Sequence, residues 1–243
     1  MTRGPALMVA SAATWAGGLV ATKVVLDGTE ARPTSVLLVQ LIASVTALAA
    51  AALITRQDLT QGWRQGWTGL LEPGIAYQLA LAGLALTSAA NASVLGSLEP
   101  VMVPLLAWLL LRERPHPRLV VVIAGATGGS VLVSFASSGH GGDWKGDALI
   151  VASVAAAALY VVAASKHVAT VRPLPAALSQ QTWALALVAA VLGGQIAFTG
   201  GAFWPDASVN ELALAAGSGI LNYALPFWLY LSALTRMPGR RTL

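Results

Sequence analysis

The chain of 243 residues contains no cysteine, and only 10% of its residues are charged. The absence of cysteine excludes disulfides, thiolate metal sites and thiol nucleophiles. An ordinary soluble domain carries about 25% charged residues, so this chain has too little charge to coat a water-soluble protein of its size. Hydrophobic residues make up 56% of the chain, and the mean hydropathy is +0.72. We therefore expect lipid to surround most of the chain, which excludes a soluble enzyme.

Histidine is also scarce, and the basic residues are scattered. The three histidines fall in predicted loops, so neither a metal centre nor a histidine proton relay is expected, and we predict no cofactor. The net charge of +4 and the isoelectric point near 9.9 raise the question of nucleic acid. The 14 basic residues, however, are separated by long apolar runs and form no stripe that would follow a phosphate backbone. Nucleic acid is therefore not an expected partner.

Long apolar runs divide the sequence into eight predicted membrane helices. Each run is close to the roughly 20 residues that a helix needs to cross a bilayer. Short connections rich in glycine, proline and aspartate separate the runs. The predicted fold class is therefore all-α, a polytopic membrane helix bundle. The predicted spans are 5–26, 35–55, 68–87, 90–111, 119–138, 148–165, 176–199 and 211–234.

The basic residues predict the orientation of the bundle. If the N-terminus lies inside, eleven of the 14 basic residues fall on the cytoplasmic side, and only Lys23, Arg32 and Lys145 fall on the other side. Cytoplasmic loops of membrane proteins carry the excess of lysine and arginine. Both ends of the chain are therefore predicted to be cytoplasmic. The preference for arginine over lysine and the high alanine content are typical of bacteria, which places the protein in the inner membrane.

An internal repeat relates the two halves of the chain at an offset of about 148 residues, where residues 82–87 align with residues 230–235. Lys23 and Lys166 each end a first helix, and a loop with proline follows each of them. A unit of five helices is odd-numbered, so its second copy must enter the membrane upside down, as in many secondary transporters. The repeat predicts two domains, a five-helix repeat over 1–138 and an incomplete inverted repeat of three helices over 139–243.

Several motifs, taken in their order and spacing, resemble one known family. They are WAGGLVATK at 15–23, LALTSAANA at 84–92 followed by LEPV at 98–101, LLRER at 110–114, and ALPFWLYLSAL at 224–234. This set resembles the EamA-type branch of the drug/metabolite transporter superfamily. The resemblance implies ten helices in two inverted five-helix repeats around a central cavity, with export or exchange of small metabolites or drugs.

The sequence departs from this family pattern in two respects. The second repeat should continue for two more helices, so the chain resembles a family member truncated after the eighth helix, either a fragment or a shortened protein. An eight-helix chain would leave one cavity wall open to lipid unless a repacked helix or a second copy, in a homodimer, filled it. In addition, Gln40 stands early in the second helix, where many relatives have an arginine.

Glu99 is the most informative candidate residue. It lies about nine residues into its predicted helix, or about 14 Å along the axis, near the middle of a hydrocarbon core about 30 Å thick. An ionisable group there costs about 2.5–3.5 kcal/mol on insertion scales, so it normally faces a cavity or a partner. Pro100 and Pro104 predict a kink beside it. We expect Glu99 to bind a proton or a substrate amine, and the alternative is a protonated acid that holds helices together.

Other polar and aromatic residues inside predicted spans are candidates for contact with a substrate. A hydrogen bond between helices is the alternative role for most of them, lipid snorkelling for Lys23, and capping of the fourth helix for Asn91. Pro226 predicts a further kink in the last span, whereas Glu72 beside Pro73 is interpreted as a structural acid at a helix N-terminus. The candidate residues are Trp15, Lys23, Gln40, Tyr77, Asn91, Tyr160, Asn222, Tyr223 and Tyr230.

These features favour a transporter over an enzyme. We expect alternating access around a cavity, with protonation of Glu99 exchanging with binding of an unidentified small-molecule substrate. A membrane enzyme that acts on lipid headgroups would need acids, bases or metal ligands clustered near one interface, and the acids here are dispersed. A non-transporting or inactive membrane subunit is the other alternative, because of the missing helices.

Overall fold

The computed structural model describes residues 3–112, 120–121, 123–125, 127–129, 132, 143–167 and 171–236. Within these ranges the chain forms helices, turns and loops, and no strand. The α-helices are α1 (Arg3–Gly28), α2 (Pro33–Ile54), α3 (Ala76–Leu84), α4 (Ala89–Gly96), α5 (Glu99–Leu111), α6 (Trp144–His167), α7 (Pro173–Thr199), α8 (Val209–Gly219) and α9 (Leu225–Leu234). The chain also forms a 3₁₀ helix (Trp63–Leu70) and two π-helical turns (Leu71–Ile75 and Ile220–Ala224).

Six helical segments of the described chain are long and apolar enough to cross a membrane. They are Gly4–Gly28, Pro33–Ile54, Asn91–Leu111, Trp144–Ala164, Pro173–Thr199 and Val209–Leu234. Each of them coincides with a predicted span. The predicted span 119–138 lies mostly outside the described residues, and its described positions between 120 and 132 are helical. The predicted fold class, a polytopic helical membrane bundle, is confirmed.

The predicted span 68–87 is not one continuous α-helix, which corrects the sequence-based expectation. A 3₁₀ helix leads into the π-helical turn Leu71–Ile75, and regular α-helix starts only at Ala76. Glu72 has an extended backbone, with φ −143° and ψ 124°. A residue that precedes proline is sterically disfavoured in the α conformation, and Pro73 has no N–H to donate, so the helix breaks at this dipeptide.

A second break divides the predicted span 90–111. Helix α4 ends at Gly96, and α5 begins at Glu99, with Pro100 in its first turn and Pro104 in its interior. Because Pro100 has no N–H, it cannot donate to the carbonyl of Gly96, and the helix is interrupted where the sequence predicts a kink. Glu99 therefore opens a helix beside a break.

The chain packs as two compact units, formed by Met1–Gly74 with Ser165–Leu243 and by Ile75–Ala164. This division groups segments by packing, whereas the predicted repeat groups segments by similarity. The predicted domain boundary between residues 138 and 139 therefore stays a prediction. In the first unit, α1 packs on α8 and α9, and α2 packs on α7 and α8.

Helices α2 and α7 begin in the same way. Each has an Arg-Pro pair, with Arg32 and Arg172 in extended backbone (ψ 138° and 142°) and proline in the first turn. Proline is favoured there because its missing N–H has no helical partner anyway and its fixed φ suits a helix. The two pairs are 140 residues apart in the sequence. They give a register in which α2 and α7 can be compared residue by residue.

The buried faces of α2 and α7 coincide in this register. Each face is a stripe with the spacing of one side of a helix. The stripe on α2 consists of Leu37, Leu41, Ser44, Leu48 and Ala52, and that on α7 of Ala177, Gln181, Ala184, Val188 and Leu192. All ten residues are at most 3% exposed. The second helices of the two predicted repeats therefore bury equivalent faces and pack against each other.

In the second unit, a close contact joins the end of α3 to the start of α6. A Cβ atom on Gly83 would lie 2.9 Å from the carbonyl oxygen of Gly146. The hydroxyl of Thr87 donates to the Asp147 carboxylate at 2.5 Å, and the N–H of Asp143 donates to the Leu86 carbonyl at 3.2 Å. Glycine at 83 and 146 thus allows the two chain segments to approach closely enough for these bonds.

Candidate functional site

A buried hydrogen-bond network centres on Gln40 of α2, which has no exposed surface. Its amide nitrogen donates to the hydroxyl oxygens of Thr22 at 2.7 Å and Ser218 at 2.8 Å. Its amide oxygen accepts from the hydroxyl of Tyr223 at 3.4 Å. The network therefore joins α1, α2, α8 and the turn Ile220–Ala224 inside membrane-spanning segments, where an unsatisfied polar group is costly.

Two glycines bring the backbones of these elements together. A Cβ atom on Gly219 would lie 2.5 Å from the Cα of Gln40 and would also overlap the Gln40 carbonyl oxygen. A Cβ atom on Gly18 would lie 2.6 Å from the backbone nitrogen of Asn222. Cβ atoms in proteins essentially never approach other atoms below 3.0 Å. Only glycine fits at either position, and the close approach puts Ser218 and Tyr223 within reach of Gln40.

The same contact occurs a second time in the first unit. Gln180 of α7 occupies the position equivalent to Gln40, and its amide nitrogen donates to the hydroxyl of Thr68 at 3.0 Å. The next residue, Gly69, packs against the backbone of Gln180, since a Cβ atom there would lie 2.7 Å from its Cα. A π-helical turn follows closely after each glycine. In each case the second helix of one predicted half contacts the third span of the other half, just before a π-helical turn.

Each of the two π-helical turns contains an ionisable residue. Glu72 sits in the first turn with part of its surface exposed, and Tyr223 sits in the second turn with none exposed. Tyr223 joins Gln40, Thr22 and Ser218 in one buried polar region made of an amide, hydroxyls and a phenol.

Comparison with known proteins identifies the family. The sequence pattern of the EamA-like transporter family matches residues 2–135, which is more than half of the chain. The chain belongs to the EamA-like transporter family. Among curated proteins, no sequence matches it. A crystal structure aligns with a TM-score of 0.72 at 19% identity, covering 98% of this chain and 80% of that chain, and this likeness shows a shared fold.

The family match confirms the resemblance drawn from the sequence motifs. Together with the apolar helices, it makes the chain a multi-pass membrane protein of a transporter family within the drug/metabolite transporter superfamily. The matched segment extends over nearly the whole of the first predicted repeat.

The structure brings three of the predicted site residues of this EamA-like protein together. Gln40 bonds Tyr223, and Asn222, next to Tyr223, packs against Gly18. Asn222 is only 1% exposed. Tyr230, predicted on the same helical face, lies two turns further along the last span and is partly buried. The roles of these residues in binding remain predictions.

Two predicted residues on α1 lie in more exposed surroundings. Trp15 is 40% exposed. Lys23 forms an ion pair with Asp27 one turn later, with side chains 44% and 60% exposed. A lysine paired near the end of a helix suits the snorkelling interpretation better than a site in the interior. Pro226, predicted as a kink, follows the second π-helical turn, and its carbonyl accepts from the Ser11 hydroxyl at 2.9 Å.

The other predicted residues belong to the second unit. Tyr77 and Tyr160 are buried, at 8% and 2% exposure, and Glu99 is partly buried at the start of α5. Asn91 does not cap the fourth helix as its position suggests, because Ser88 is the capping residue and its hydroxyl accepts from the Asn91 N–H at 3.1 Å. The involvement of these four residues in a site remains a prediction.

Sequence reasoning missed several members of the polar region. Thr22, Ser218 and Gly219 were not singled out. The signal available in the sequence was the register set by the two Arg-Pro pairs, which makes Gln40 and Gln180 equivalent positions.

One buried side chain in the stripe on α7 is unusual. Gln181 has no exposed surface, and in the described part of the chain neither atom of its amide group has a hydrogen-bond partner. The equivalent residue on α2 is the apolar Leu41.

Nothing in the described ranges supports metal binding, since they hold no group of three or more histidine, cysteine or acidic side chains that could ligate an ion.

Proposed function

We propose that this protein is an inner-membrane transporter that exports or exchanges small metabolites or drugs by alternating access. The observation that carries the proposal is the Gln40 network, a polar cluster inside membrane-spanning helices that includes the π-helical turn Ile220–Ala224. Irregular backbone at membrane depth is tolerated where protein buries it or where it lines a water-filled cavity. Secondary transporters with inverted repeats place their binding sites at such discontinuous helices.

The paired glutamine contacts support the alternating-access part of the proposal. The contact of Gln40 with Gly219 and that of Gln180 with Gly69 are equivalent under the repeat. A protein built from two inverted copies can adopt an inward-open and an outward-open state by exchanging the conformations of the copies. Contacts that occur once per copy are then suited to act as the points about which the helices rock.

Proton coupling through Glu99 is the finer part of the proposal. Glu99 is a partly buried acid at the break between α4 and α5 within an apolar span. Ionisable residues inside membrane segments commonly bind protons or substrates. Glu99 would release its proton when a substrate binds, with both chain termini on the cytoplasmic side.

Flux measurements on the purified full chain in proteoliposomes test the proposal. Vesicles are loaded with the protein amino acids and the common nucleosides, and release is followed by mass spectrometry. We expect wild-type vesicles to release at least one compound faster than protein-free vesicles, and Gln40→Leu to abolish the difference. If wild-type and Gln40→Leu vesicles release every compound at the rate of protein-free vesicles, a non-transporting membrane subunit replaces the proposal.

Glu99→Gln tests the coupling separately. We expect an imposed pH gradient to accelerate wild-type flux and to leave Glu99→Gln unaffected. If wild-type flux did not depend on the pH gradient, proton coupling would be rejected and the transport function would still stand. Glu30→Gln is the matched control, because Glu30 is an exposed acid in the loop between α1 and α2.

A further inference from the structure

The 3₁₀ helix Trp63–Leu70 is held against the start of α7. A Cβ atom on Gly62, just before this helix, would lie 2.7 Å from Cγ1 of Val171, just before α7. The indole N–H of Trp183 donates to the carbonyl of Trp63 at 3.1 Å, and the centres of the two rings are 5.7 Å apart. These contacts fix the 3₁₀ helix at one end of the first unit.

The exposed side of the 3₁₀ helix carries a cation and an aromatic ring. Side chains three residues apart in a 3₁₀ helix lie on the same side. Gly66 and Gly69 belong to the side that faces α7, since a Cβ atom on Gly66 would lie 2.6 Å from a ring atom of Trp183. Arg64 and Trp67 are also three residues apart, and both are exposed, Trp67 at 41%. They therefore present a guanidinium group and an indole ring together.

A second exposed arginine lies at the same end. Arg172 directly follows Val171, the residue that Gly62 contacts, and Arg64 lies two residues after Gly62. Two residues of extended chain span at most about 7 Å, so the backbones of both arginines lie near that contact. The one ion pair in the described part of the chain lies at the other end of α1, so no described acid neutralises either arginine.

The two ends of the first unit carry opposite charge. Arg32 at the start of α2 donates to the Thr199 hydroxyl at the end of α7 at 2.8 Å, so α2 and α7 are antiparallel. The end with the 3₁₀ helix therefore also holds the end of α2, the start of α7 and the end of α9. The described charged side chains at this end are four arginines and one acid, Arg56, Arg64, Arg172, Arg236 and Asp58. Those at the opposite end are two bases and four acids, Lys23, Arg32, Asp27, Glu30, Asp206 and Glu211. The arginine-rich end favours an anionic partner.

We propose that Arg64, Trp67 and Arg172 bind the headgroup of an anionic phospholipid. The predicted third span begins at residue 68, so these side chains lie where the chain enters the bilayer. Arginine donates to phosphate through two parallel N–H bonds. Tryptophan is enriched at the level of the headgroups, where its ring has one apolar and one polar side to contact. Lipid binding here is independent of the transport function proposed above.

Binding of individual lipids to the purified full chain in detergent tests the proposal. Native mass spectrometry counts bound molecules of phosphatidylglycerol, which is anionic, and of phosphatidylcholine, which has no net charge. The variants are Arg64→Gln, Arg172→Gln, the double variant, Trp67→Leu, and Arg64→Lys, which keeps the charge. Arg236→Gln is the matched control, because it removes an exposed arginine from the same end of the unit but from a different helix.

We expect wild-type protein to bind phosphatidylglycerol at least about tenfold more tightly than phosphatidylcholine. Arg64→Gln and Arg172→Gln should each weaken phosphatidylglycerol binding about fivefold, because one basic residue near an anionic lipid surface contributes about 1 kcal/mol. The double variant should bind both lipids equally, whereas Arg64→Lys and Arg236→Gln should keep the preference. Trp67→Leu should weaken binding of both lipids alike, since the ring carries no charge. Unchanged phosphatidylcholine binding and elution volume show that the glutamine variants are folded.

Four results would overturn the proposal. Equal affinity of wild-type protein for the two lipids would remove the anionic ligand, and a full preference in the double variant would move the site elsewhere. A loss in Arg236→Gln as large as that in Arg64→Gln would replace the site by diffuse attraction to the whole arginine-rich end. If glycerol 3-phosphate at the same concentration displaced phosphatidylglycerol, a free phosphate ester would replace the lipid as the ligand.

Discussion

Replacement of Gly219 by alanine tests the close contact that builds the Gln40 network. The added Cβ atom would lie 2.5 Å from the Cα and 2.7 Å from the carbonyl carbon of Gln40. Ordinary contacts of a Cβ atom begin at about 3.4 Å, so α8 and α2 must separate by roughly 1 Å. Because the opposing atoms are backbone, no side-chain rotation can relieve the overlap.

The expected loss of stability follows from two contributions. Overpacking a well-packed interior costs about 1–3 kcal/mol. Separation of the helices also lengthens the bonds of Gln40 to Ser218 and Tyr223, which contribute about 0.5–1.5 kcal/mol each. A loss of about 3 kcal/mol is therefore expected for Gly219→Ala. At about 2–4 °C per kcal/mol for a protein of this length, the midpoint of thermal unfolding should fall by about 6–12 °C.

Thermal unfolding of the purified protein in detergent micelles, followed by tryptophan fluorescence, measures this effect. Gly217→Ala is the matched control, since it lies on the same helix and a Cβ atom there has no neighbour within 4 Å. Alanine is favoured over glycine inside helices by about 1 kcal/mol, so Gly217→Ala should unfold at the wild-type temperature or slightly above it. A Gly219→Ala variant as stable as Gly217→Ala would refute the argument. Gly69→Ala should reproduce the loss at the equivalent contact.

Three further predictions concern stability and charge. Gln181→Leu should raise the unfolding midpoint by about 2–12 °C, because it removes a buried amide without hydrogen-bond partners among the described residues, and such groups cost about 1–3 kcal/mol. Ser208→Ala should destabilise the protein by about 1 kcal/mol, because it removes the capping box of α8. The Thr60 hydroxyl and the Thr60 N–H both donate hydrogen bonds to the Asp58 carboxylate. These bonds hold the pKa of Asp58 below its usual value, and the bond from the hydroxyl has the larger effect. Thr60→Ala should therefore raise the pKa of Asp58 in a carboxyl ¹³C NMR titration.

Each of these predictions has its own control. Gln180→Leu should lower the midpoint, because Gln180 donates to Thr68, and equal effects of the two glutamine substitutions would contradict the assignment. Ser208→Thr should keep the cap and most of the stability. Thr60→Ser should leave the Asp58 titration unchanged. Since the pKa of Asp58 is lowered on folding, its contribution to stability is present above the unfolded pKa and is lost as the pH falls through the folded value.

The membrane helices could be predicted where one local property decides the structure. The runs that form α1, α2, α6 and α7 are apolar over about 20 residues, the length at which a helix crosses the bilayer and satisfies its backbone groups within the segment. The Glu72-Pro73 dipeptide is visible in the sequence, yet the hydropathy pattern predicts one continuous span over 68–87. Hydropathy averages over a window and does not register a change in the conformation of a single residue.

The candidate site could be predicted only in part. Gln40, Asn222 and Tyr223 were singled out because polar residues in apolar spans are few. Their mutual contact could not be predicted, since it joins residues up to 183 positions apart.

The sequence by itself determined that this chain spans a membrane, that it is helical and that it belongs to a transporter family, because charge, hydropathy and motif order are properties of the chain. The repeat was also visible as weak similarity between two segments. Only the tertiary structure decided that Gln40 and Gln180 make equivalent contacts and that Gly219 and Gly69 permit them. These features depend on which helix faces approach within a few ångströms, and that choice is made by packing of the whole first unit.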